Sequence, residues 1–464
     1  MTPSTDSARP PLNDSPVSRV VRALHHRNYR LFFSGQLVSL VGTFLTTTAM
    51  SWFVLKLTMN PADYSQRQAD VFFAAQIPLF LLGPIAGVWV DRLDRRKLIL
   101  VTQTLAMIQS FSLAAVAFSH TPTVNKILAL ALFQGLINCW DMPGRQAFLV
   151  DMVTDRDDLA NAIALNSTMV HFARVFGPAA AGLIIARIGI AWCFLLDGLS
   201  YLAVIAALLA MVIVPRRPKP PRSVRVELHE GARYVFGFPP MRALIFLMCV
   251  VSLTAIPCIS TLLPIYGNHF GGQLHGSLVF GFLGAATGIG ALTGAILLAA
   301  RRSVLGLGRL IAIAMSTFAV ALMALAASPS LWLCLLVLPF CGWGMITTFA
   351  SANTIMQTLA DDDKRGRVMS FFSVSFVGVT PFGALFVGRF LSPHLAFGSA
   401  DPMVGARRAM FVAAGLCLSA SLYYATRLPA LRKLVHPIYA RKGILPDLAT
   451  ALQAATDMTD PAEA

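Results

Sequence analysis

The chain has 464 residues, of which 56% are hydrophobic and only 13% are charged. Soluble domains carry about a quarter charged residues, so this composition excludes a water-soluble globular protein and indicates a chain surrounded by lipid. The net charge of +15 lies in short stretches between long apolar runs, a placement that argues against nucleic-acid binding.

Twelve apolar runs are long enough to cross a membrane, because about 20 helical residues span about 30 Å of hydrocarbon. They are predicted at 30–57, 70–90, 97–119, 124–149, 161–187, 190–214, 242–267, 275–299, 304–327, 330–359, 366–391 and 405–427. The runs lack the alternation of outer-membrane strands, so we predict helices. The chain starts with a polar, Pro-containing stretch, and we expect no cleaved signal peptide.

The longest connection is rich in Pro and Arg and separates two groups of six predicted spans. The predicted organisation is an N-terminal arm at 1–29, a six-helix half at 30–214, a linker at 215–240, a second half at 241–427 and a tail at 428–464. Within the linker we predict a short amphipathic helix at Val224 to Phe238, and we expect the tail to be partly disordered. Repeated halves with a site between them are common among transporters.

Lys and Arg collect on alternate connections, namely the N-terminal arm, the loop after the second span and the linker. The positive-inside rule then predicts that both termini and the linker are cytoplasmic, which requires an even number of spans. The predicted fold class is an all-α membrane protein with twelve transmembrane helices in two six-helix halves. The predicted location is the plasma membrane, the inner membrane of a bacterium.

The sequence offers no pattern for an enzyme, a cofactor or a metal. It contains no Gly-Lys pair and so no Walker-type phosphate loop, and His229-Glu230 lacks the second His of a metalloprotease helix. The seven cysteines lack metal-ligand spacing. We therefore expect energy for any transport to come from an ion gradient or from the gradient of the substrate.

The loop after the second span reads GVWVDRLDRRK and closely resembles the inner-loop motif of the major facilitator superfamily, although Asp94 replaces the second Gly of that motif. The resemblance implies the major facilitator fold and an inward-gate motif formed by Gly87, Asp91, Arg92, Arg95 and Arg96. It also implies an acidic partner at Asp151, and we expect a cluster of Asp91, Arg95 and Asp151. The alternative is a solvated basic loop that only sets topology.

A second motif lies in the fifth span, where ARVFGPAAAG resembles the superfamily's antiporter motif. Its matching residues are Gly177, Pro178 and Gly182, and the resemblance implies an exporter more than an importer. The alternative is simple packing of small residues. Three further stretches occur together in the first half, namely LFFSGQ opening the first span, DMPGRQ ending the fourth and NAIALN opening the fifth. They resemble the efflux branch that includes the enterobactin exporter and the macrolide efflux pumps, although Ala131 stands where the superfamily's fourth-helix pattern has Arg.

Candidates for proton coupling are the ionisable residues inside predicted spans, where charge is costly. Asp141 and Asp197 are the carboxylates well inside these spans. Asp141 shares a face of the fourth helix with Gln134, Asn138 and Arg145, and its protonation would free Arg145. The alternative for this pair is a permanent structural ion pair. Asp197 either faces an outward cavity or reaches the periplasmic surface.

The fifth span adds His171 and Arg174 to these candidates. Arg174 lies near mid-membrane and needs an acceptor, which Asp141, Asp197 or an anionic substrate would supply. His171 titrates near neutral pH when unperturbed, although a lone His is more often a hydrogen-bonded interior residue.

Polar and aromatic residues of four spans predict an amphiphilic substrate cavity, although such residues also pack membrane helices. The candidates are Gln36, Thr43, Thr47, Trp52, Gln134, Asn138, Trp343, Thr347, Gln357, Phe371 and Phe372. Mostly apolar walls with a few polar groups suit drug-like or siderophore-like molecules.

The predicted function is secondary active transport, namely proton-coupled export (antiport) of amphiphilic small organic molecules by alternating access. The predicted partners are a small-molecule substrate, protons and membrane lipid, with no nucleic acid, and the predicted state is a monomer. Alternatives are a lipid or lysophospholipid flippase, a facilitated uniporter without proton coupling, a nutrient importer, and a non-transporting receptor or scaffold.

Overall fold

The structure of the chain, a computed structural model, describes residues 22–58, 61–90, 93–153, 156–212, 224–301, 303–361, 364–390 and 401–442. Within these ranges the chain forms helices and no strand. A backbone inside hydrocarbon must satisfy its own hydrogen bonds, and a helix does so within a single segment.

We number the helices in chain order after a short 3-10 turn at Arg22–His25. Their bounds are α1 Arg27–Leu57, α2 Pro61–Val90, α3 Arg95–Phe118, α4 Val124–Met152, α5 Arg156–Arg187, α6 Ile190–Ala210, α7 Val224–Gly237, α8 Pro239–Gly272, α9 Leu274–Ala299, α10 Leu307–Ala327, α11 Leu331–Leu359, α12 Arg365–Arg389 and α13 Pro402–Arg441. α8 ends at Gly272, whose φ of 61° lies in the left-handed region that glycine adopts without strain.

Within the described ranges, ten of these helices are long and apolar enough to cross a membrane, namely all except α2, α4 and α7. The chain is therefore a multi-pass membrane protein. Helix α7 is the predicted amphipathic helix of the linker. Helix α4 lacks a continuous stretch that is apolar enough because polar and charged residues, among them Lys126, Asp141 and Arg145, are spread along it.

Two helices are longer than the apolar runs that predicted them. Helix α2 begins at Pro61 rather than at residue 70, and its polar first turns pack inside the bundle, where Gln68 donates to Ser51 of α1 at 2.9 Å. Helix α13 continues to Arg441, so the first part of the tail expected to be disordered is helical. Hydropathy overlooks both extensions because their turns are polar; residues 443–464 lie outside the described residues.

Close helix contacts in the bundle are made at glycines. A Cβ on Gly135 of α4 would overlap the carbonyl oxygen of Ala75 on α2, and one on Gly290 of α9 would overlap that of Pro339 on α11. Lipid tails are as apolar as Leu, so helices in a membrane associate through close van der Waals packing, which small residues permit.

We call the end of the bundle that carries α7 the linker end and the opposite end the far end. At the linker end, polar contacts connect neighbouring segments. Arg96 donates to the last carbonyl groups of α6, at 2.9 and 3.0 Å. Arg367 of α12 pairs with Glu230 of α7. The Tyr234 hydroxyl donates to Asp361 at 3.0 Å, and this hydrogen bond holds the pKa of the Asp361 carboxyl below its usual value.

The helices before α7 meet those after it along two antiparallel pairs, α5 with α9 and α2 with α12. On the first pair, an ideal Cβ on Gly281 would lie 2.5 Å from the Pro178 carbonyl oxygen, and one on Gly288 would lie 2.7 Å from that of Arg174. On the second pair, one on Gly388 would lie 2.6 Å from the carbonyl oxygen of Ser65. These contacts run from the far end towards the middle of the bundle.

Beyond Arg174, towards the linker end, both α5 and α9 carry exposed residues. These are Ile163, Ala164, Ser167 and Thr168 on α5 and Thr293, Ile296 and Leu297 on α9. Among the described residues, the glycine contacts between α5 and α9 therefore extend from the far end to Arg174.

Substitution of Gly290 by Val tests the glycine contact between α9 and α11. We expect Gly290→Val to destabilise the protein by about 1–3 kcal/mol or more, because the new side chain meets backbone that cannot rotate away. The measurement is the thermal unfolding midpoint in detergent. Gly415→Val is the matched control, since a Cβ at Gly415 of α13 would have nothing within 4 Å. Equal midpoints for the two variants would contradict the packing account.

Candidate functional site

Asp141 lies at the centre of a polar cluster between α3 and α4. Its side chain pairs with Arg145 one turn later on α4, and its Oδ1 accepts hydrogen bonds from Thr102 and Gln103 of α3, each at 2.8 Å. Asp141 is 3% exposed, whereas the Arg145 side chain is 25% exposed. The carboxylate is therefore buried and paired with one cation that is itself partly exposed.

The other two polar residues of this helix face form a separate contact. The side-chain amide of Gln134 donates to the Asn138 carbonyl oxygen at 3.0 Å. The predicted polar face of α4 is present, but the structure divides it into an amide pair and an ion pair.

Among the described residues, Asp197 of α6 forms no ion pair, in contrast to Asp141. It is 1% exposed, and its Oδ2 accepts from the Ser110 hydroxyl of α3 at 2.9 Å. Its Oδ1 has no hydrogen-bond partner and lies against Gly42 of α1, where an ideal Cβ would be 2.5 Å away. Asp197 therefore lies inside the packing of α1, α3 and α6 and does not reach the far surface.

Arg174 and His171 lie one turn apart on α5. The Arg174 guanidinium lies over the Phe44 ring of α1, 5.6 Å from its centroid. Its buried Nε and the buried Nδ1 of His171 have no hydrogen-bond partner. Among the described residues, neither Asp141 nor Asp197 is paired with Arg174.

The predicted gate residues are brought together in part. Arg95 pairs with Asp151 at 2.9 Å and also donates to the Ala147 carbonyl at 3.1 Å. Asp91 and Arg92 lie outside the described residues, and Gly87 lies near the end of α2. The Arg95 to Asp151 pair connects α3 to α4, which both precede α7. In this conformation the pair therefore stabilises the first half and does not link the two halves.

The predicted antiporter motif forms the contact between α5 and α9. Gly177 faces α1, where an ideal Cβ would lie 3.1 Å from the Val41 carbonyl oxygen. Pro178 and Gly182 face α9, against Gly281. The motif therefore permits α5 to approach two helices at once.

The predicted cavity residues are distributed over several environments. The Thr43 and Thr47 hydroxyls donate to carbonyl groups one turn earlier, at 3.0 and 2.8 Å. Trp343 and Thr347 pack on Gly294 of α9, and Gln36 is buried. The side chain of Gln357 is exposed.

Three of the aromatic candidates pack against other rings. Trp52 stacks on Phe280 with 6.0 Å between centroids, Phe371 packs on Phe236 of α7, and Phe372 is buried beside Phe349. Trp52 and Phe280 thus connect α1 to α9 at the far end.

An ion pair at the far end escaped the sequence reasoning. Arg389 of α12 donates to Asp70 of α2 at 2.8 Å, and the Phe382 ring packs against Phe73 and Phe80. The available signal was Arg389 itself, a basic residue at the end of a span whose side of the membrane carries few others.

A family model described as transmembrane secretion effector matches residues 20–441. The chain belongs to this family of the major facilitator superfamily. It is therefore a transporter and not an enzyme.

Relatives across the family are exporters and transporters of small molecules by name. The staphyloferrin A transporter of Staphylococcus aureus is 25% identical over 370 residues, which cover 77% of this chain and 87% of the relative. The multidrug efflux pump Tap of Mycobacterium tuberculosis is 26% identical, covering 87% and 94%. The enterobactin exporter EntS of Shigella flexneri is 26% identical, covering 66% and 71%.

Solved structures agree with the fold. The transporter PepTSo of the POT family aligns with a TM-score of 0.67 at 13% identity, covering 88% of this chain and 99% of that one. A bacterial homologue of the lysosomal transporter Spinster, in an inward-facing conformation, aligns with a TM-score of 0.60 at 15% identity, covering 87% and 98%. Both likenesses concern the fold alone.

Removal of the far-end ion pair tests its contribution to closure. The Arg389 side chain is 49% exposed, so the pair contributes at most about 1 kcal/mol. We expect Arg389→Gln to shift the population towards a far-end-open state by up to about five-fold. The measurement is the distance distribution between spin labels on the far ends of α2 and α12.

The matched control is Arg187→Gln, which removes an exposed positive charge at the far end of α5. The double charge swap of Asp70→Arg with Arg389→Asp should restore the wild-type distribution. Equal shifts in Arg187→Gln and Arg389→Gln would mean that general charge, and not this pair, sets the equilibrium.

Proposed function

We propose that this protein exports amphiphilic small organic molecules in exchange for protons across a bacterial inner membrane. The family and the efflux pumps and siderophore transporters among its relatives support export. The observation that supports proton exchange is the buried Asp141, which is paired with a single, partly accessible cation.

The proposed topology has twelve spans in two halves. Helices α2 and α4 join the ten apolar helices as spans, since each lies between helices that cross and each has about 30 residues, long enough for the hydrocarbon. Helix α7 then lies outside the membrane, between halves at 30–214 and 241–427. The basic residues near the linker end support a cytoplasmic location for that end and for both termini.

The proposed cycle is alternating access by a monomer. The conformation described above has its far-end contacts formed, and we propose that its cavity is open to the cytoplasm, because α5 and α9 carry exposed residues beyond Arg174 towards the linker end. Release outside requires the far-end contacts of Trp52 with Phe280 and of Asp70 with Arg389 to break. The pair of Arg95 with Asp151 is proposed to hold the α2 to α3 connection beside α4, ready to close the cytoplasmic gate.

Asp141 is the proposed proton carrier. Protonation would cancel its attraction to Arg145 and leave that cation to find water or another acceptor, which changes the energy of the surrounding helices. Asp197 has no such cation, so a proton there would alter only hydrogen bonds to a carboxyl that packing already fixes. The coupling therefore belongs to the carboxylate with the ionic partner.

The test is proton movement in proteoliposomes with an imposed pH gradient, followed as siderophores, macrolides and cationic dyes are added. We expect substrate-dependent proton flux in the wild type and at least a ten-fold loss in Asp141→Asn, since the amide carries no proton between states. Asp197→Asn is the matched control, a second buried carboxylate replaced by the same isostere, and it should retain flux.

Two results would overturn parts of this proposal. Loss of flux in Asp197→Asn with retention in Asp141→Asn would move the carrier to α6. Substrate movement without proton flux in the wild type would instead support a uniporter or a lipid flippase, with Asp141 and Arg145 as a structural pair.

A further inference from the structure

Building on the proposed export function, we infer that the transported substrate is an organic anion and that Arg174 binds its acidic group. The substrate class is an aromatic or apolar body that carries a carboxylate or a comparable delocalised oxyanion. Arg174 is singled out because it is a charge inside the bundle for which the described residues supply neither an ion pair nor a hydrogen bond.

The side chain of Arg174 has an aromatic neighbour but no acceptor. Within the described part of the chain its guanidinium makes no ion pair and no hydrogen bond, and its Nε is buried. The Phe44 ring, 5.6 Å away, offers a cation–π contact, which compensates only a fraction of the lost hydration. A charged group at this depth without a partner marks a site for an external charge.

The two carboxylates that the sequence offered as partners are both engaged elsewhere. Asp141 is paired with Arg145 and accepts two further hydrogen bonds from α3. Asp197 lies against Gly42 of α1, whereas Arg174 lies over Phe44 of the same helix. Two positions along a helix are about 200° apart around its axis, so the two groups contact nearly opposite faces of α1.

The helices after α7 offer no alternative. No acidic residue occurs from Met241 to Ala360, which covers α8, α9, α10 and α11. These four helices therefore supply no anion to Arg174, and an anion bound there would come from the substrate.

The position of Arg174 suits a binding site that both access states share. The glycine contacts between α5 and α9 extend from the far end to the Arg174 carbonyl, which lies against Gly288. Arg174 is thus near the middle of its span and beside a helix of the second half. Here water is scarce and an ion pair is stronger than at the surface.

Two neighbours of Arg174 define what else the substrate would contact. The unpartnered Nδ1 of His171, one turn towards the linker end, is free to make a second hydrogen bond to an oxyanion. Phe44 presents a ring to an apolar or aromatic body. A planar guanidinium binds carboxylates in a two-pronged geometry that an ammonium group cannot reproduce.

The test uses pyrenebutyrate and its neutral amide, probes that differ at a single acidic group. Binding to the full-length protein in detergent is followed by fluorescence anisotropy. We expect the wild type to bind pyrenebutyrate at least about ten-fold more tightly than the amide. In Arg174→Gln the two probes should bind equally, because the preference for the anion resides in the guanidinium.

Arg174→Lys is the conservative variant, and it should retain part of the preference, since the charge remains and the fork geometry is lost. Size-exclusion profiles and unfolding midpoints show whether each variant is folded. Equal binding of the two probes by the wild type would overturn the inference, whatever the variants do. A full preference in folded Arg174→Gln would overturn it as well.

Failure of this inference is distinguishable from failure of the proposed function. If the wild type shows Asp141-dependent proton flux but no preference for the anion, export by proton exchange stands and the substrate class is wrong. If the preference depends on Arg174 but no substrate drives proton flux, the anion site stands and proton coupling is wrong.

Discussion

A charge inside hydrocarbon must be paired, hydrogen-bonded or in reach of water, and the interior of this bundle is arranged around that requirement. Asp141 meets it through Arg145 and two donors on α3. Asp197 meets it through Ser110 with one oxygen left over. Arg174 does not meet it with any described residue. The three residues therefore differ in what they can do. Asp141 can release a cation, Asp197 is fixed by packing, and Arg174 requires a ligand.

The same half of the chain carries all three charges, and the helices α8 to α13 of the other half contain no carboxylate. Such a division has a mechanical consequence. The contacts between α5 and α9 are made by glycines against backbone, so separating the two helices breaks van der Waals contacts and few hydrogen bonds. At this pair of helices the two halves can therefore separate at little polar cost, and the ion pair of Asp70 with Arg389 is a polar contact between the halves that opening would break.

Much of this architecture was predictable because its causes are local. Continuous hydropathy predicted the helices, and the four-residue spacing of Asp141 and Arg145 predicted their pairing. The ends of α2 and α13 were not predictable in this way, since their turns are polar and are held by contacts such as that of Lys442 with the end of α11. Local patterns also do not predict the pair of Asp70 and Arg389, which are 319 positions apart, or the stacking of Trp52 on Phe280.

The position of the candidate site was only partly predictable from the sequence. Residue type and depth identified Arg174 as needing an acceptor, and the sequence allowed three. Choosing among them required the direction in which each carboxylate points, which depends on the rotation of α1, α4 and α6 relative to α5. That rotation follows from packing over the whole bundle. The sequence predicted the cavity residues from polar positions that share a helix face. That criterion does not distinguish Thr43, whose hydroxyl donates to a carbonyl of its own helix, from polar groups that lack a partner.

The charges also constrain how an anion and a proton are exchanged. Local electrostatics would favour binding both at once, because an anion near Asp141 makes protonation of that carboxyl easier. Exchange therefore requires that the two bind in opposite conformations. The conformation described above fits this requirement, since Asp141 is paired with Arg145 while Arg174 has no partner among the described residues. An outgoing monoanion and an incoming proton together carry two charges in the direction that a negative interior favours, which is worth about 4.6 kcal/mol at 100 mV. In such an exporter the membrane potential drives both the outgoing anion and the incoming proton in each cycle. The far-end contacts contribute about 1 kcal/mol each, so this energy is sufficient to break them.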